Sequence, residues 1–234
     1  MSNKPTLTPE MQQRRDAFRE LLEMRHSCRA YLPDPVEPAT LDSILNMAQR
    51  TASWCNTQPW EVLITRGPST DKFRQALTEA MARPGDGESD FPFPLRYEGA
   101  YLQRRRESGF GLYNAVGIPR GDAAAAAKQS AENFRLFGAP HVAIVTTDQD
   151  LGVYGAIDCG AWVGNFMLAA AAHGVASIAQ AALAQRPDFL RSYFNLPGSR
   201  RIVCGISFGY SDEAHAANRF RTSREPIANS VRIV

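Results

Sequence analysis

Residues 151–182 are nearly all apolar or small, and no other stretch of the chain constrains its fold as strongly. Asp158, Asn165 and His173 interrupt this stretch, whereas a membrane-spanning helix needs roughly 20 apolar residues with few charges. Small and apolar residues on every side are also typical of a helix buried at the centre of a protein. We therefore predict a helix over 152–173 that has little solvent-facing surface and packs against a sheet, other helices or a partner subunit.

Apolar periodicity and proline punctuation divide the rest of the chain into helices and strands. Helical patterns cover residues 9–25, a segment that opens after the prolines at 33, 35 and 38, a segment capped by Ser69 or Thr70, and residues 98–115 and 121–136. Strand patterns cover residues 60–65, 141–147, 175–180 and 202–208. These elements interleave irregularly, which favours an α+β fold over a doubly wound parallel sheet.

The chain contains no internal repeat and no linker long enough to separate two domains, so residues 1–234 are predicted to form a single domain. The polar residues 1–10 are predicted to be a flexible tail without a hydrophobic signal sequence, which favours a cytoplasmic protein. The net charge of +2 argues against binding to nucleic acid or to an anionic membrane. The four cysteines lie far apart, without the paired spacing of a zinc site or a disulfide-rich scaffold.

A short basic segment, Arg25-His26-Ser27-Cys28-Arg29, is the clearest candidate for ligand binding. Arg25, Ser27 and Arg29 are spaced by two, so they share one face if the segment is extended. Two guanidinium groups and a hydroxyl on one face suit a phosphate or another anion. A solvated basic turn is the alternative interpretation of the same residues.

The sequence lacks the glycine pattern of a dinucleotide-binding unit. Gly109-Phe110-Gly111 has no strand before it and no third glycine, so a Rossmann unit for NAD(P)H is not expected. Histidines at 26, 141, 173 and 215 are scattered and give no signature of a catalytic triad, and no spacing of ligands suggests a metal.

Four motifs in chain order resemble those of the FMN-dependent nitroreductase family. Arg25-x-Ser27-x-Arg29 is followed by Ser53-x-x-Asn56-x-Gln58-Pro59-Trp60, by the apolar run 174–184, and by Asn218-Arg219-Phe220-Arg221-x-x-Arg224-x-Pro226. The likeness extends from about residue 15 to the C-terminus. It implies a nitroreductase-like α+β fold with a central, mainly antiparallel sheet flanked by helices. It also implies an intertwined homodimer whose C-terminal segment is exchanged onto the partner.

The resemblance assigns roles to individual residues. Arg25 and Ser27 would contact the phosphate and ribityl end of FMN, and Arg29 the pyrimidine edge of the flavin. The other segments expected at the cofactor contribute Ser53, Trp54, Asn56 and Gln58 from the second subunit, backbone around Ile178, Ala179, Gln180 and Ala181, the neighbouring His26, and Arg221 and Arg224 at the phosphate. No side chain is expected to be catalytic, since flavin N5 is the reactive centre.

The activity implied is ping-pong transfer of hydride from NAD(P)H through flavin N5 to a small nitroaromatic compound, giving nitroso and then hydroxylamine products. A quinone or enone reductase that uses the same site is the alternative enzyme, and an FMN-binding protein with little turnover is the alternative of another class. Residues 83–137 are expected to form a substrate-pocket or lid insertion. Its candidate substrate contacts, together with Trp54, are Tyr97, Phe110 and Tyr113. Trp54 would stack on flavin or substrate, or fill the dimer core.

Overall fold

The computed structural model describes residues 7–83 and 88–234. These residues contain seven α-helices: α1 (Pro9–Met24), α2 (Pro38–Ala48), α3 (Pro68–Ala82), α4 (Gly99–Ala115), α5 (Ala123–Ala131), α6 (Gly152–Ala172) and α7 (Pro187–Phe194). They also contain four strands: β1 (Glu61–Arg66), β2 (His141–Asp148), β3 (Ala176–Gln180) and β4 (Arg200–Gly209). None of these helices combines the length and hydropathy needed to cross a lipid bilayer.

The four strands form one antiparallel sheet in the order β1-β2-β4-β3. Alternate residues of β2 enter two apolar cores, because successive side chains of a strand point to opposite faces. Ala143 and Val145 pack with α2 and α6, whereas Val142 and Ile144 belong to the core that contains residues of α3 and α7. The predicted α+β fold with a mainly antiparallel sheet and flanking helices is therefore confirmed.

Helix α6 packs against the sheet and against α2. A sheet and another helix are two of the three packing partners predicted for it. Phe166 is fully buried and meets the ring of Phe208 edge to face at 5.3 Å. The prediction of little solvent-facing surface is wrong for the single chain, since Val153, Tyr154 and Ile157 are each more than half exposed. Apolar composition alone does not reveal which face of a helix the same chain covers.

The polar residues that interrupt the apolar stretch 151–182 each hold a neighbouring segment. The Asp158 carboxylate accepts the backbone N–H of Trp54 at 3.0 Å, and the Asn165 amide donates to the Thr51 hydroxyl at 2.8 Å. His173 lies 2.9 Å from the Ser43 hydroxyl. The interruptions are therefore attachment points for α2 and for the loop that follows it.

Most predicted elements match the observed ones within a few residues. The helix predicted over 121–136 ends earlier, at Ala131, and short turns follow up to residue 138. Helix α7 was not predicted, although Pro187 stands at its first turn, a position that suits proline. Of the insertion predicted over 83–137, residues 84–87 lie outside the described residues, as do residues 1–6 of the predicted tail. Pro9 and Glu10 of that tail belong to α1.

Residues 88–137, the part of the predicted insertion that follows the gap at 84–87, are called the insertion from here on. This segment is attached to the rest of the chain at both ends. The buried carboxylate of Asp90 binds Arg191 at 2.6 Å and the backbone N–H of Ile202 at 2.7 Å. At the other end, Leu136 and Phe137 have left-handed backbone angles. The Arg74 guanidinium donates to the carbonyls on both sides of that turn, at Arg135 and Ala139.

Buried His141 is expected to make the stability of the protein depend on pH. Its Nε2 accepts the backbone N–H of Val36 at 2.9 Å, and its Nδ1 faces the Thr65 carbonyl at 3.3 Å. Burial lowers the pKa of His141 from its usual 6.5. The unfolded chain therefore binds more protons as the pH falls below about 6.5, and stability is lost in that window.

Urea denaturation of the apoprotein at several pH values checks this expectation. The free energy of unfolding is expected to fall from pH 7.5 to pH 5, and His141→Gln is expected to reduce that fall. Some of it should persist, because burial also lowers the pKa of His26. An unchanged pH dependence in His141→Gln would contradict the role given to His141.

Candidate functional site

The segment Arg25–Arg29 continues the sheet at its open edge. Ser27 forms a parallel bridge with Ser177 of β3, and the Cys28 N–H donates to the Ser177 carbonyl at 3.2 Å. Cys28 is fully buried, whereas Ser27 and Arg29 on either side of it are partly exposed. The segment is therefore extended and not a solvated turn, the alternative that the sequence leaves open.

Two distant parts of the sequence bring their positive charges together beside this segment. Burial lowers the pKa of Arg25, and the charge of Arg224 lowers it further. Burial is also the largest cause that lowers the pKa of His26; Arg221 and Arg25 act in the same direction, whereas the Met24 carbonyl and Glu213 raise it. Within residues 7–83 and 88–234, no carboxylate lies within 4.0 Å of the guanidinium groups of Arg25, Arg221 and Arg224. Clustered positive charges that form no close ion pair favour the binding of an anion.

Buried polar atoms without partners lie beside these charges. Neither Nε2 of His26 nor Oγ of Ser177 has a hydrogen-bond partner, although both atoms are buried. Both residues line a cavity of about 130 Å³ with Arg25 and Glu213. Buried polar groups are almost always satisfied in native proteins. The Ser177 hydroxyl can donate, whereas His26, whose Nδ1 donates to the Met24 carbonyl at 3.2 Å, leaves Nε2 as an acceptor. The two atoms therefore fit a ligand that carries both hydroxyl groups and acceptor oxygens, such as the ribityl phosphate of FMN.

Asn218 joins the basic segment to the C-terminal arm, defined here as residues 216–226. Its amide oxygen accepts the Arg29 N–H at 2.7 Å, and its amide nitrogen donates to the carbonyls of Ala30 and Asp212. The side chain is almost fully buried. Asn218 belongs to the C-terminal motif, but the sequence does not indicate its role. A single asparagine does not reveal which backbone groups its side chain will bind.

Arg29 occupies the far end of the basic segment. Its guanidinium donates to the Ser27 carbonyl at 3.2 Å, and burial lowers its pKa. It lines a second cavity of about 560 Å³ together with Lys128, Glu132 and His215. The two arginines of the segment therefore line different cavities, Arg25 with His26 and Ser177 and Arg29 beside α5, although the spacing by two predicts one shared face.

The last residues of β3 combine an open edge with a buried anchor. Ser177 directs its carbonyl to the open edge, so Ala179, two residues later, faces the same edge. Ile178 and Gln180 are buried, and the Gln180 side chain accepts from the Ser207 hydroxyl at 2.5 Å and donates to Asn133. Ala181 begins the short turn that follows. The Gln180 side chain thus holds in place the backbone groups at this open edge.

The loop containing Ser53, Trp54, Asn56 and Gln58 is not joined to Arg25–Arg29 by any hydrogen bond among the described residues. Its contacts run instead to α6 and to Gln49. Ser53 Oγ accepts the Gln58 N–H at 2.9 Å. Cys55, Asn56 and Gln58 all have left-handed backbone angles, a strained arrangement that is concentrated at functional sites. Trp54 is mostly exposed and meets Tyr154 of α6 edge to face.

The substrate candidates of the insertion lie on or near α4. Phe110 and Tyr113 line a cavity of about 280 Å³ with the segment that leads into α5, and the Arg120 guanidinium lies 5.0 Å from the Phe110 ring centre. Tyr97 is covered instead by Arg105, 5.1 Å from its ring centre. The insertion thus offers an aromatic wall rimmed by positive charge.

Residues 205–209 spell Gly-x-Ser-x-Gly, a pattern shared with serine hydrolases. Ser207 lies inside β4, where it is fully buried and hydrogen-bonded to Gln180. A hydrolase nucleophile instead stands on an exposed turn between a strand and a helix. The pattern is therefore part of the sheet and not a catalytic elbow.

Comparison with known proteins agrees with this geometry. The model of the Nitroreductase family matches residues 22–210 of the chain. The chain belongs to the nitroreductase family. Within the family it is 33% identical over 219 residues to the nitroreductase NfnB of Mycolicibacterium smegmatis, covering 92% of each chain. It is 31% identical to a 4-nitrobenzoate reductase of Pseudomonas putida, covering 90% of this chain and 92% of that protein.

A solved nitroreductase has the same overall structure. The FMN-dependent NfnB from Mycobacterium smegmatis, crystallised in complex with NADPH, superposes with a TM-score of 0.89 at 33% identity. The alignment covers 94% of this chain and 99% of that one. The family, the α+β fold and the expectation of a flavin site are therefore consistent with one another.

Proposed function

We propose that this nitroreductase binds FMN and uses NAD(P)H to reduce nitroaromatic compounds. The observation that carries the proposal is the extended segment at the sheet edge, in which Ser27 pairs with Ser177 and His26 Nε2 has no partner. The charges of Arg221 and Arg224 act on the same segment. The similarity to nitroreductases named for nitroaromatic substrates, and to an FMN-dependent enzyme crystallised with NADPH, supports the same activity.

Each group at the site has a role that its position supports. Arg25, Arg221, Arg224 and Ser27 would hold the phosphate end of FMN, because charge-assisted hydrogen bonds to phosphate are strong. Arg29, at the other end of the segment, would face the pyrimidine edge and stabilise negative charge there. When bound, FMN supplies the redox chemistry between NAD(P)H and the nitro group. The chain's own residues orient the cofactor and shield it from water.

A second copy of this chain is the proposed occupant of the exposed apolar face of α6. Val153, Tyr154 and Ile157 lie uncovered beside Trp54, and α1 adds Phe18 and Leu22. The end of the chain adds further exposed apolar residues, namely Ile227, Val231, Ile233 and Val234. Exposed apolar surface of this extent marks an interaction site, and the chain end is long enough to be exchanged onto a partner.

The dimer proposal predicts that Ile157→Asp converts the protein to a monomer and weakens FMN binding, because the loop with Ser53 and Asn56 would reach the flavin from the other subunit. Sedimentation velocity and an FMN titration measure the two effects. Leu32→Glu changes another exposed apolar residue, outside α1, α6 and the chain end, and should affect neither. A wild-type chain that sediments as a monomer with full FMN affinity would rule out this arrangement.

The insertion is the proposed substrate-binding part, in which Phe110 and Tyr113 form an aromatic wall and the helices act as a lid. A quinone or enone reductase acting at the same site is the second enzymatic candidate, since stacking on aromatic walls also suits flat quinones. An FMN-binding protein with little turnover is the candidate of another class. A cytoplasmic location stays a prediction.

Anaerobic reduction of the purified protein tests the proposed function. The protein is expected to show the spectrum of oxidised flavin, to bleach on addition of NADPH or NADH, and to regain colour when nitrobenzene is added. Recovery with benzoquinone but not with nitrobenzene would favour the quinone reductase. A flavin that stays oxidised with both donors would favour the binding protein, and a colourless protein that takes up no FMN would overturn the assignment.

A further inference from the structure

The C-terminal arm rests directly on α4 at a glycine, where a larger residue would displace the ring of Phe220. The ring of Phe220 lies across Gly111, and a Cβ on Gly111 would overlap the ring atom Cε2 and lie 3.0 Å from Cζ. Gly111 lies inside α4 and does not have a left-handed backbone. Backbone conformation therefore does not explain why this residue is glycine. Glycine inside a helix costs about 1 kcal/mol relative to alanine, and close approach of the ring accounts for its presence.

A second contact fastens the arm to the same face of α4. Arg104 donates to the Glu225 carboxylate at 2.9 Å. Asn229 and then Arg104 lower the pKa of Glu225 by hydrogen bonding, so this carboxylate is kept charged. Because Arg104 and Gly111 are separated by two helical turns, they lie on one side of the helix.

These two contacts stand on either side, along the chain, of Arg221 and Arg224, the arginines to which the proposed function assigns the phosphate. Residues 220–225 and α4 enclose a groove of about 390 Å³, whose lining includes Arg104, Arg221 and Arg224. Among the described residues, neither Arg221 nor Arg224 forms a salt bridge with a carboxylate. Both guanidinium groups donate to oxygens of the arm itself. The position of the arm on α4 therefore decides where these two guanidinium groups lie.

We propose that Gly111 and Phe220 are positioning residues that set the phosphate-binding arginines through α4, the helix that also carries the aromatic wall. The inference rests on the proposed FMN-binding function and adds a coupling to it. Helix α4 both carries the aromatic wall of the insertion and contacts the arm that bears the phosphate-binding arginines. A change in the packing of the arm on α4 therefore alters FMN affinity, although neither Gly111 nor Phe220 is a phosphate ligand.

Two glycines of α4 provide a matched test. Gly111→Ala is expected to raise the FMN dissociation constant about tenfold, the loss of roughly one charge-assisted hydrogen bond. Gly109→Ala adds the same methyl group to the same helix, where it would meet no atom within 4 Å, and should leave FMN affinity within twofold. Fluorescence titration of apoprotein with FMN measures both, and thermal denaturation confirms that both variants are folded.

Two further variants distinguish positioning from a general loss of structure. Phe220→Leu introduced into Gly111→Ala is expected to restore most of the FMN affinity, because it removes the ring edge that the methyl group displaces. Arg104→Gln leaves the packing intact and should weaken FMN binding about threefold, less at high salt.

Equal FMN affinity in Gly111→Ala and Gly109→Ala, together with an unchanged Arg104→Gln, would overturn the coupling while leaving the proposed function in place. Failure of Phe220→Leu to restore affinity would also count against it. A wild-type chain that takes up no FMN would overturn the proposed function, and this inference with it.

Discussion

Replacing Arg25 by alanine is expected to weaken FMN binding about 10- to 100-fold. Arg25 is partly buried beside Arg224, and burial and that neighbour both lower its pKa. A phosphate at this site would relieve the repulsion and accept charge-assisted hydrogen bonds, each worth roughly 1.5–3 kcal/mol. Titration of the apoprotein with FMN, followed by flavin fluorescence, gives the dissociation constant of each variant.

The same substitution is expected to leave the apoprotein as stable as wild type within about 0.5 kcal/mol. Removing one of two neighbouring like charges relieves repulsion, which compensates for lost packing of the Arg25 stem. Arg19→Ala removes an exposed arginine of α1 that pairs with Asp16, and it should change neither quantity. An apoprotein destabilised by several kcal/mol in Arg25→Ala would mean that Arg25 is structural instead.

Replacing Asp90 by alanine is expected to destabilise the protein by about 3–5 kcal/mol, the cost typical of breaking a buried ion pair. The Asp90 side chain is only 3% exposed and lies 2.6 Å from Arg191 and 3.3 Å from Arg201. The substitution would leave a mostly buried guanidinium and the backbone N–H of Ile202 without this acceptor. Urea denaturation monitored by circular dichroism measures the free energy of unfolding.

Asp188 is the matched control, because it binds the same arginine at the same 2.6 Å but is 81% exposed. Exposed ion pairs contribute about 0–1 kcal/mol, so Asp188→Ala should cost less than about 1 kcal/mol. Similar losses in both variants would contradict the view that burial decides the strength of the Asp90 attachment. This attachment holds the first residues of the insertion to α7 and β4.

The sequence alone predicted the order and type of most elements, because hydrophobic periodicity depends on which residues face a core. The sequence indicated the basic segment as a candidate anion site but left an extended strand and a solvated turn both open, and it did not predict α7. It also identified the family, since several motifs occurred in the expected order. Asn218 escaped notice as a site residue because its role is defined by backbone groups that only folding brings to it.

What the sequence by itself determined was therefore local: most helices and strands, and the chemistry of the arginines in the basic segment. The tertiary structure alone decided which charges meet and which apolar faces stay open. It placed Arg224 beside Arg25, left one face of α6 uncovered, and pressed Phe220 onto Gly111. The physical reason is that periodicity reports how a residue relates to its neighbours along the chain, whereas electrostatic and packing contacts depend on distances that only the packed fold sets.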